Sequence, residues 1–212
     1  MAARQENRPA FWLIAGPNGS GKSSLYGSNS AAIYGDTNIT DAARSFWIIN
    51  PDLLTSRIRS LERKTLRAAN LEAVRRVEAW LEASINAHQS IGVETVLSTA
   101  KYRRLVRAAK QRRFEIRLIY VILNSPELNI KRVQMRVRKG GHGVPQEKIR
   151  ERWSRSLKQL PWFLIECDWA LLFDNSKKLR VVDRKRRGTI ILDPSAPEAL
   201  RSTVERIRAL KS

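Results

Sequence analysis

Residues 16–23 read Gly-Pro-Asn-Gly-Ser-Gly-Lys-Ser, directly behind the apolar run Phe11, Trp12, Leu13, Ile14 and Ala15. A strand that breaks into a glycine-rich loop and then a Lys-Ser pair has one well-understood use. The loop backbone curls so that its N–H groups point inward at phosphate oxygens. Lys22 brings a positive charge to the outer phosphates, and the Ser23 hydroxyl is placed to ligate Mg²⁺. Ser24, Leu25 and Tyr26 continue the helix whose positive end sits under the anion. Gly16, Pro17, Asn18, Gly19, Ser20, Gly21, Lys22, Ser23 and Ser24 form the candidate nucleotide-binding set.

The rest of the chain alternates strand and helix patterns. A second strand over 46–49 ends at Asn50, Pro51 and Asp52, with Pro51 suited to the first turn of a helix over about 51–60. A longer helix is predicted after Asn70, with Leu71, Val74, Val77, Leu81 and Ile85 on one face. Residues 92–97 read as a third strand, and 101–113 as a basic helix. Residues 116–123 are almost unbroken apolar, as in a strand buried on both faces. Ser125 caps a helix that opens with Pro126 and runs to about 139. A Gly-Gly-His-Gly-Val-Pro joint at 140–145 follows, then a helix over about 146–160 that Pro161 ends or kinks. The last core strand, 170–173, leads into Asp174, Asn175 and Ser176. Residues 27–40 are an irregular excursion, and about 177–211 a small basic hairpin and terminal helix. This order predicts an α/β fold, a three-layer P-loop NTPase-type architecture with a mostly parallel sheet flanked by helices. The length of 212 residues suits one such domain over 1–212, with a lid at about 131–150.

Composition narrows the setting. There is a single cysteine, Cys167, which excludes an intramolecular disulfide framework and a cysteine-rich zinc site and reads as a small packed residue. No run reaches membrane-spanning length and no secretory leader is expected, so a cytoplasmic location fits best. The 40 basic residues against 20 acidic give a formal charge of +20, which attracts polyanions or anionic metabolites. No recognised nucleic-acid-binding module is visible, so nucleic acid is the less favoured partner.

Phosphoryl transfer needs a base near the γ-phosphate, and Asp52 at the end of the second strand is the best-placed carboxylate. Glu94 lies inside a strand, where a carboxylate is costly unless paired or facing a ligand. Thr95, Ser98 and Thr99 add hydroxyls near it. Arg132 and Arg136 share a helix face just before the glycine joint, which suits a lid that neutralises phosphate charge. His142 is a candidate substrate contact within that lid. A Walker B-type Asp after 123 is absent, as is an Asn-Lys-x-Asp guanine-reading motif. A small-molecule kinase is therefore the simplest reading. A kinase acting on a nucleic-acid end and a nucleotide-switched nucleic-acid binder are the alternatives.

Together these segments resemble the zeta toxin family over about residues 10–176. The resemblance is carried by the loop at 15–24, by Ile49-Asn50-Pro51-Asp52, and by Val93-Glu94-Thr95 with Leu97-Ser98-Thr99. Arg132-Val133 and Arg136-Val137 continue it into Gly140-Gly141-His142 with Val144-Pro145, followed by Ile149, Arg152 and Asp174-Asn175-Ser176. It implies an ATP- and Mg²⁺-dependent kinase of the 3′-hydroxyl of UDP-N-acetylglucosamine, with a small antitoxin as partner in trans. Carried over by motif, Lys22 and Ser23 handle ATP and Mg²⁺, with Asp52 also near the metal. Asp52 is the base and Glu94 the substrate-contacting acid. Arg132 or Arg136 contacts ATP, and Asn175 lies near the adenine. Position 50 is Asn where some members carry Asp. The basic helix and the net charge also depart from the family pattern.

Overall fold

The computed structural model describes residues 8–27, 33–34, 37–38, 47–186 and 189–209. The excursion expected over 27–40 lies largely outside the described residues, as does Phe46.

The apolar run before the loop becomes strand β1 (Ala10–Ala15), buried along its whole length. Helix α1 (Lys22–Gly27) follows the loop. Two short pieces, β2 (Ile33–Tyr34) and β3 (Thr37–Asn38), pair antiparallel. Next come β4 (Trp47–Ile49), α2 (Pro51–Leu61), α3 (Leu66–Asn86), β5 (Ile91–Thr95) and α4 (Arg103–Gln111). The buried run is β6 (Glu115–Ile122), followed by α5 (Pro126–Arg138), α6 (Gln146–Glu166) and β7 (Trp169–Asp174). The chain continues through β8 (Arg180–Arg186), β9 (Thr189–Leu192) and α7 (Glu198–Ala209).

Seven strands form one sheet in the order β4-β5-β1-β6-β7-β8-β9. The first five run parallel, and β8 and β9 add two antiparallel partners. The basic hairpin therefore extends the main sheet instead of standing apart. Parallel register sets Ala15 beside Thr95 on one side and Tyr120 on the other, so the carboxyl ends of β1, β5 and β6 share one edge. Ligands of open parallel sheets bind along that edge.

Helices lie on both faces, but unequally. Phe11, Leu13, Ala15, Leu118, Tyr120 and Leu172 pack under α3, α4, α6 and α7. On the opposite face Trp12, Ile119, Val121 and Phe173 meet Leu25 of α1. There Trp12 and Trp169 stack edge to face, with ring centres 5.7 Å apart, and the Arg117 guanidinium lies 4.9 Å over Trp12. Cys167 is buried, and burial pushes its thiol up to about 12 against the opposing charge of Lys185. It is the inert packed residue that composition implies.

Three helices differ from the sequence reading. Helix α3 starts at Leu66, earlier than expected, because the Thr65 hydroxyl caps it by accepting from the Ala68 N–H at 3.3 Å. Its buried stripe is Ala69, Ala73, Val77, Leu81 and Ile85, a strict i+4 row. Leu71 and Val74, placed on that face from periodicity, are 74% and 38% exposed. Small Ala69 and Ala73 instead pack with Ile58 and let α2 approach closely. Helix α6 runs through Pro161 to Glu166, since Leu157, Leu160, Phe163 and Leu164 anchor both sides of the proline in the core. Its open C-terminal carbonyls are capped by buried Lys185, whose Nζ donates to Leu164, Ile165 and Cys167 at 2.6, 2.9 and 2.5 Å. The basic helix is shorter than predicted, leaving Lys101, Arg112 and Arg113 beyond its ends. Arg103 and Arg107 stack over Trp162 of α6 at 4.9 and 5.5 Å. Among the described residues, no helix is long and apolar enough to cross a membrane.

Candidate active site at the strand tips

The loop after β1 is held from four directions. Gly16 has φ +140°, and a Cβ there would stand 2.1 Å from the carbonyl oxygen of Val121 in β6, so only glycine fits. Its N–H donates to the Thr95 carbonyl at 3.2 Å, tying the loop to β5. From α5, buried Asn129 donates Nδ2 to the Asn18 carbonyl at 2.6 Å, and from α6 Arg152 reaches Asn18 Oδ1 at 3.3 Å. From the tip of β7, Asn175 donates Nδ2 to the Ser20 carbonyl at 2.8 Å. Within the loop, the buried Ser20 hydroxyl has no hydrogen-bond partner among the described residues.

Beside the loop a polar group joins four elements. Lys22 is 6% exposed, and its Nζ donates to the carbonyls of Gly16 and Pro17 at 2.8 and 3.1 Å. Glu94 Oε1 lies 3.8 Å from the same ammonium. Glu94 Oε2 accepts from the Ser23 hydroxyl at 2.9 Å and from Asn50 Nδ2 at 3.0 Å. Asn50 Oδ1 in turn accepts the N–H groups of Asp52 and Leu53 at 3.0 and 3.1 Å, the N-cap of α2. One asparagine thus links the acid on β5 to the helix that carries Asp52. Burial lowers the Lys22 pKa; the charges of Glu94 and Asp52 push it back up, and that of Arg136 lowers it further. All three groups therefore act on one ammonium.

Thr95 ends β5 with its hydroxyl accepting the Leu97 N–H at 3.0 Å, and Leu97, at φ +58°, turns the chain away. Thr99 lies exposed in the loop beyond and, among the described residues, makes no hydrogen bond to this group. On the lid side, Arg132 donates Nη2 to the carbonyls of Asn175 and Ser176 at 2.5 and 3.5 Å. Arg136 is exposed, and its Nε and Nη2 hold the His142 carbonyl at 3.1 and 2.7 Å. His142 is exposed and faces a cavity against α2.

The structure thus gathers Lys22, Ser23, Glu94 and Asp52 at the strand tips, with Arg132 and Asn175 against the loop and Arg136 near enough for its charge to act on Lys22, while Thr99 stays apart. The residues suit the groups that such a loop implies. A hydroxyl and a carboxylate are hard oxygen donors of the kind Mg²⁺ takes, and the loop offers an ammonium and an unpartnered hydroxyl to phosphate. Three supports were not read from the sequence: Asn50 as a bridge, and Asn129 and Arg152 as anchors of the loop. Asn129 carries a faint signal, being a polar residue next to Ile130 on the buried face of α5.

The Zeta toxin family model matches residues 2–187. An uncharacterized protein of Haemophilus influenzae (strain ATCC 51907 / DSM 11121 / KW20 / Rd) is 27% identical over 148 residues, covering 70% of this chain and 94% of that protein. Among solved structures, the AvrRxo1-ORF1:-ORF2 crystal structure with ATP aligns at a TM-score of 0.68 and 16% identity, covering 94% of this chain. The chain spans only 63% of the AvrRxo1-ORF1:-ORF2 chain it matches. A structure of the PezAT chromosomal toxin-antitoxin system of Streptococcus pneumoniae aligns at a TM-score of 0.62 and 13% identity, covering 97% of this chain and 88% of that one. At these identities the structural likeness shows a shared fold.

Proposed function

The chain belongs to the zeta toxin family, and from that premise we propose that it transfers the γ-phosphoryl group of ATP to a hydroxyl of a small anionic metabolite. The acceptor that the family implies is the 3′-hydroxyl of UDP-N-acetylglucosamine. The observation that carries the reading is the double acceptance by Glu94 Oε2 from Ser23 and Asn50. It holds the phosphate loop and the helix bearing Asp52 as one unit, as in-line transfer between two substrates requires. ATP as donor is further supported by the ATP present in one structural relative.

In this reading the acceptor oxygen attacks the γ-phosphorus, the bond to the bridging oxygen of ADP breaks, and the acceptor proton passes to the Asp52 carboxylate. Lys22 and a lid arginine, Arg132 or Arg136, stabilise the charge on the transferring group. Ser23 would hold Mg²⁺ with help from Glu94 or Asp52, and the ion supplies neutralisation of the β- and γ-phosphate charge. Thr95, Thr99 and His142 are candidate acceptor contacts, and Asn175 a candidate neighbour of the adenine. A small antitoxin binding in trans is supported by the toxin-antitoxin relative.

Incubation with radiolabelled ATP and UDP-N-acetylglucosamine tests the proposal. Wild type labels the sugar nucleotide, and Asp52→Ala lowers kcat by about 10²–10⁴-fold with ATP affinity retained. Lys22→Ala abolishes turnover. Equal label transfer by wild type and Asp52→Ala would remove the base assignment. The +20 charge favours a second reading, in which a nucleic-acid end is the acceptor. Preferential labelling of a 5′-hydroxyl oligonucleotide decides for it.

A further inference from the structure

Two peptide units of the phosphate loop are gripped from outside by side-chain amides. Asn129 of α5 donates Nδ2 to the Asn18 carbonyl at 2.6 Å, and Asn175, just past β7, donates Nδ2 to the Ser20 carbonyl at 2.8 Å. A peptide unit is planar and trans, so its N–H points opposite to its C=O. The unit that carries the Asn18 carbonyl ends in the Gly19 N–H, and the unit that carries the Ser20 carbonyl ends in the Gly21 N–H. Drawing those carbonyls toward α5 and the end of β7 therefore turns the Gly19 and Gly21 N–H groups the other way.

The glycines fit the same arrangement. A Cβ on Gly19 would stand 2.8 Å from the Asn129 carbonyl oxygen and 3.0 Å from Val133 Cγ2, and one on Gly21 would stand 2.4 Å from Asn175 Nδ2. Each asparagine thus rests against the residue whose N–H it turns. Gly19 fills one of the variable positions of the G-x-x-x-x-G-K-[ST] pattern, so phosphate binding alone does not ask for glycine there. The close approach of α5, together with a φ of +76°, does.

Asn129 is the more telling of the pair. It is fully buried, and its Oδ1 has no hydrogen-bond partner among the described residues. A buried amide with one end unpaired costs stability, which an apolar side chain of similar size would avoid. What the amide supplies, and a leucine could not, is a donor for the Asn18 carbonyl. Arg132, nearly one turn further along α5, holds the backbone carbonyl of Asn175 at 2.5 Å. The two asparagines are therefore tied to each other as well as to the loop.

We propose that Asn129 and Asn175 are positioning residues that aim the Gly19 and Gly21 N–H groups at the phosphates of the nucleotide. This rests on the kinase reading and adds to it the two side chains that set the loop before the donor binds. In this role Asn175 acts on the phosphate chain through the loop, a different task from lying beside the adenine.

Binding to the full chain, with no acceptor present, tests it. The probes are ATP, tripolyphosphate (the phosphate chain without its nucleoside) and adenosine, each with Mg²⁺. Asn129→Ala and Asn175→Ala each weaken ATP and tripolyphosphate by matching factors of about tenfold and leave adenosine within about twofold of wild type. In amide ¹⁵N–¹H spectra of wild type, the Gly19 and Gly21 protons move downfield on addition of tripolyphosphate. Asn129→Ala loses mainly the Gly19 shift, and Asn175→Ala mainly the Gly21 shift. Wild-type amides that do not move overturn the proposal even where the variants fail to fold. A lowered melting temperature with unaltered tripolyphosphate affinity assigns both side chains to folding and also overturns it. Weaker adenosine binding alone in Asn175→Ala returns that residue to the base. Transfer by wild type with an unaltered KM for ATP in both variants removes the positioning role and leaves the kinase standing. Asparagine-dependent phosphate binding without transfer to any acceptor does the reverse.

Discussion

The floor of the candidate site and its lid use the same currency, side chains on backbone carbonyls, in opposite ways. In the floor, Asn129, Asn175 and Lys22 reach carbonyls of the loop from buried or half-buried positions, and Gly16 sits where no side chain fits. In the lid, exposed Arg136 holds the carbonyl of His142, and Gly140 has φ +82° with nothing within 4 Å of where a Cβ would stand. The floor is thus shaped before any ligand arrives, as a preorganised anion cradle must be. The arginines of the proposed lid rest on neutral carbonyls, Arg136 in water and Arg132 half-buried, so an arriving anion has no carboxylate to displace there.

Substitutions that set floor against lid sharpen this contrast. Gly16→Ala forces a Cβ into the Val121 carbonyl, and the expected loss of about 4 kcal/mol or more lowers the melting temperature by roughly 10 °C. Gly140→Ala meets only the backbone penalty of its left-handed conformation, about 1 kcal/mol, and shifts melting by about 3 °C. Equal shifts in thermal unfolding would erase the distinction. Between the arginines, Arg136→Ala lowers kcat about 10²-fold at an unchanged melting temperature. Arg132→Ala also destabilises, because half-buried Arg132 ties α5 to the carbonyls after β7. A stability loss confined to Arg136→Ala would reverse the assignment.

The smallest effect lies away from both regions. Hydrogen bonds from Arg75 and then Arg76 hold the Glu72 carboxyl at about 2. A depressed carboxyl adds stability that is present above its unfolded value and disappears as pH falls through the folded one. Glu72→Gln is therefore slightly less stable than wild type above about pH 4.5 and indistinguishable from it below about pH 2. A difference that persists at the acid end, by melting across pH, would place its cause elsewhere.

Much of the floor was legible because its constraints are local. A strand, three glycines and Lys-Ser lie within 15 residues, and Ser125 with Pro126 marks a helix start by its own chemistry. Asp52 could be singled out as a carboxylate at a strand end, and Glu94 as one inside a strand. Their bridge could not, because Asn50 reads as a cap and its second hydrogen bond reaches across 44 residues. The α3 stripe was misread for a different reason. Periodicity favours large side chains, whereas α2 and α3 meet through Ala69 and Ala73. Pro161 reads as a stop, yet Lys185, 18 residues beyond Cys167, supplies the cap that closes the helix. The cavity that His142 shares with Thr55 and Arg59 of α2 joins segments far apart in the chain, and no local pattern encodes that.

Asn50 has a consequence for the chemistry of cations. Its amide is a donor to Glu94 while its carbonyl oxygen caps α2. An aspartate there keeps the cap but has no proton to offer at neutral pH, so two anionic oxygens would face each other across the gap that now holds a hydrogen bond. Asn50→Asp is thus expected to make folding depend on a proton or a divalent ion at that point, its melting temperature rising on acidification or with added Mg²⁺ more than that of wild type. Asparagine at this position instead joins Glu94 to the start of α2 through one neutral side chain, so the acid of β5 and the helix of Asp52 meet without a second charge between them.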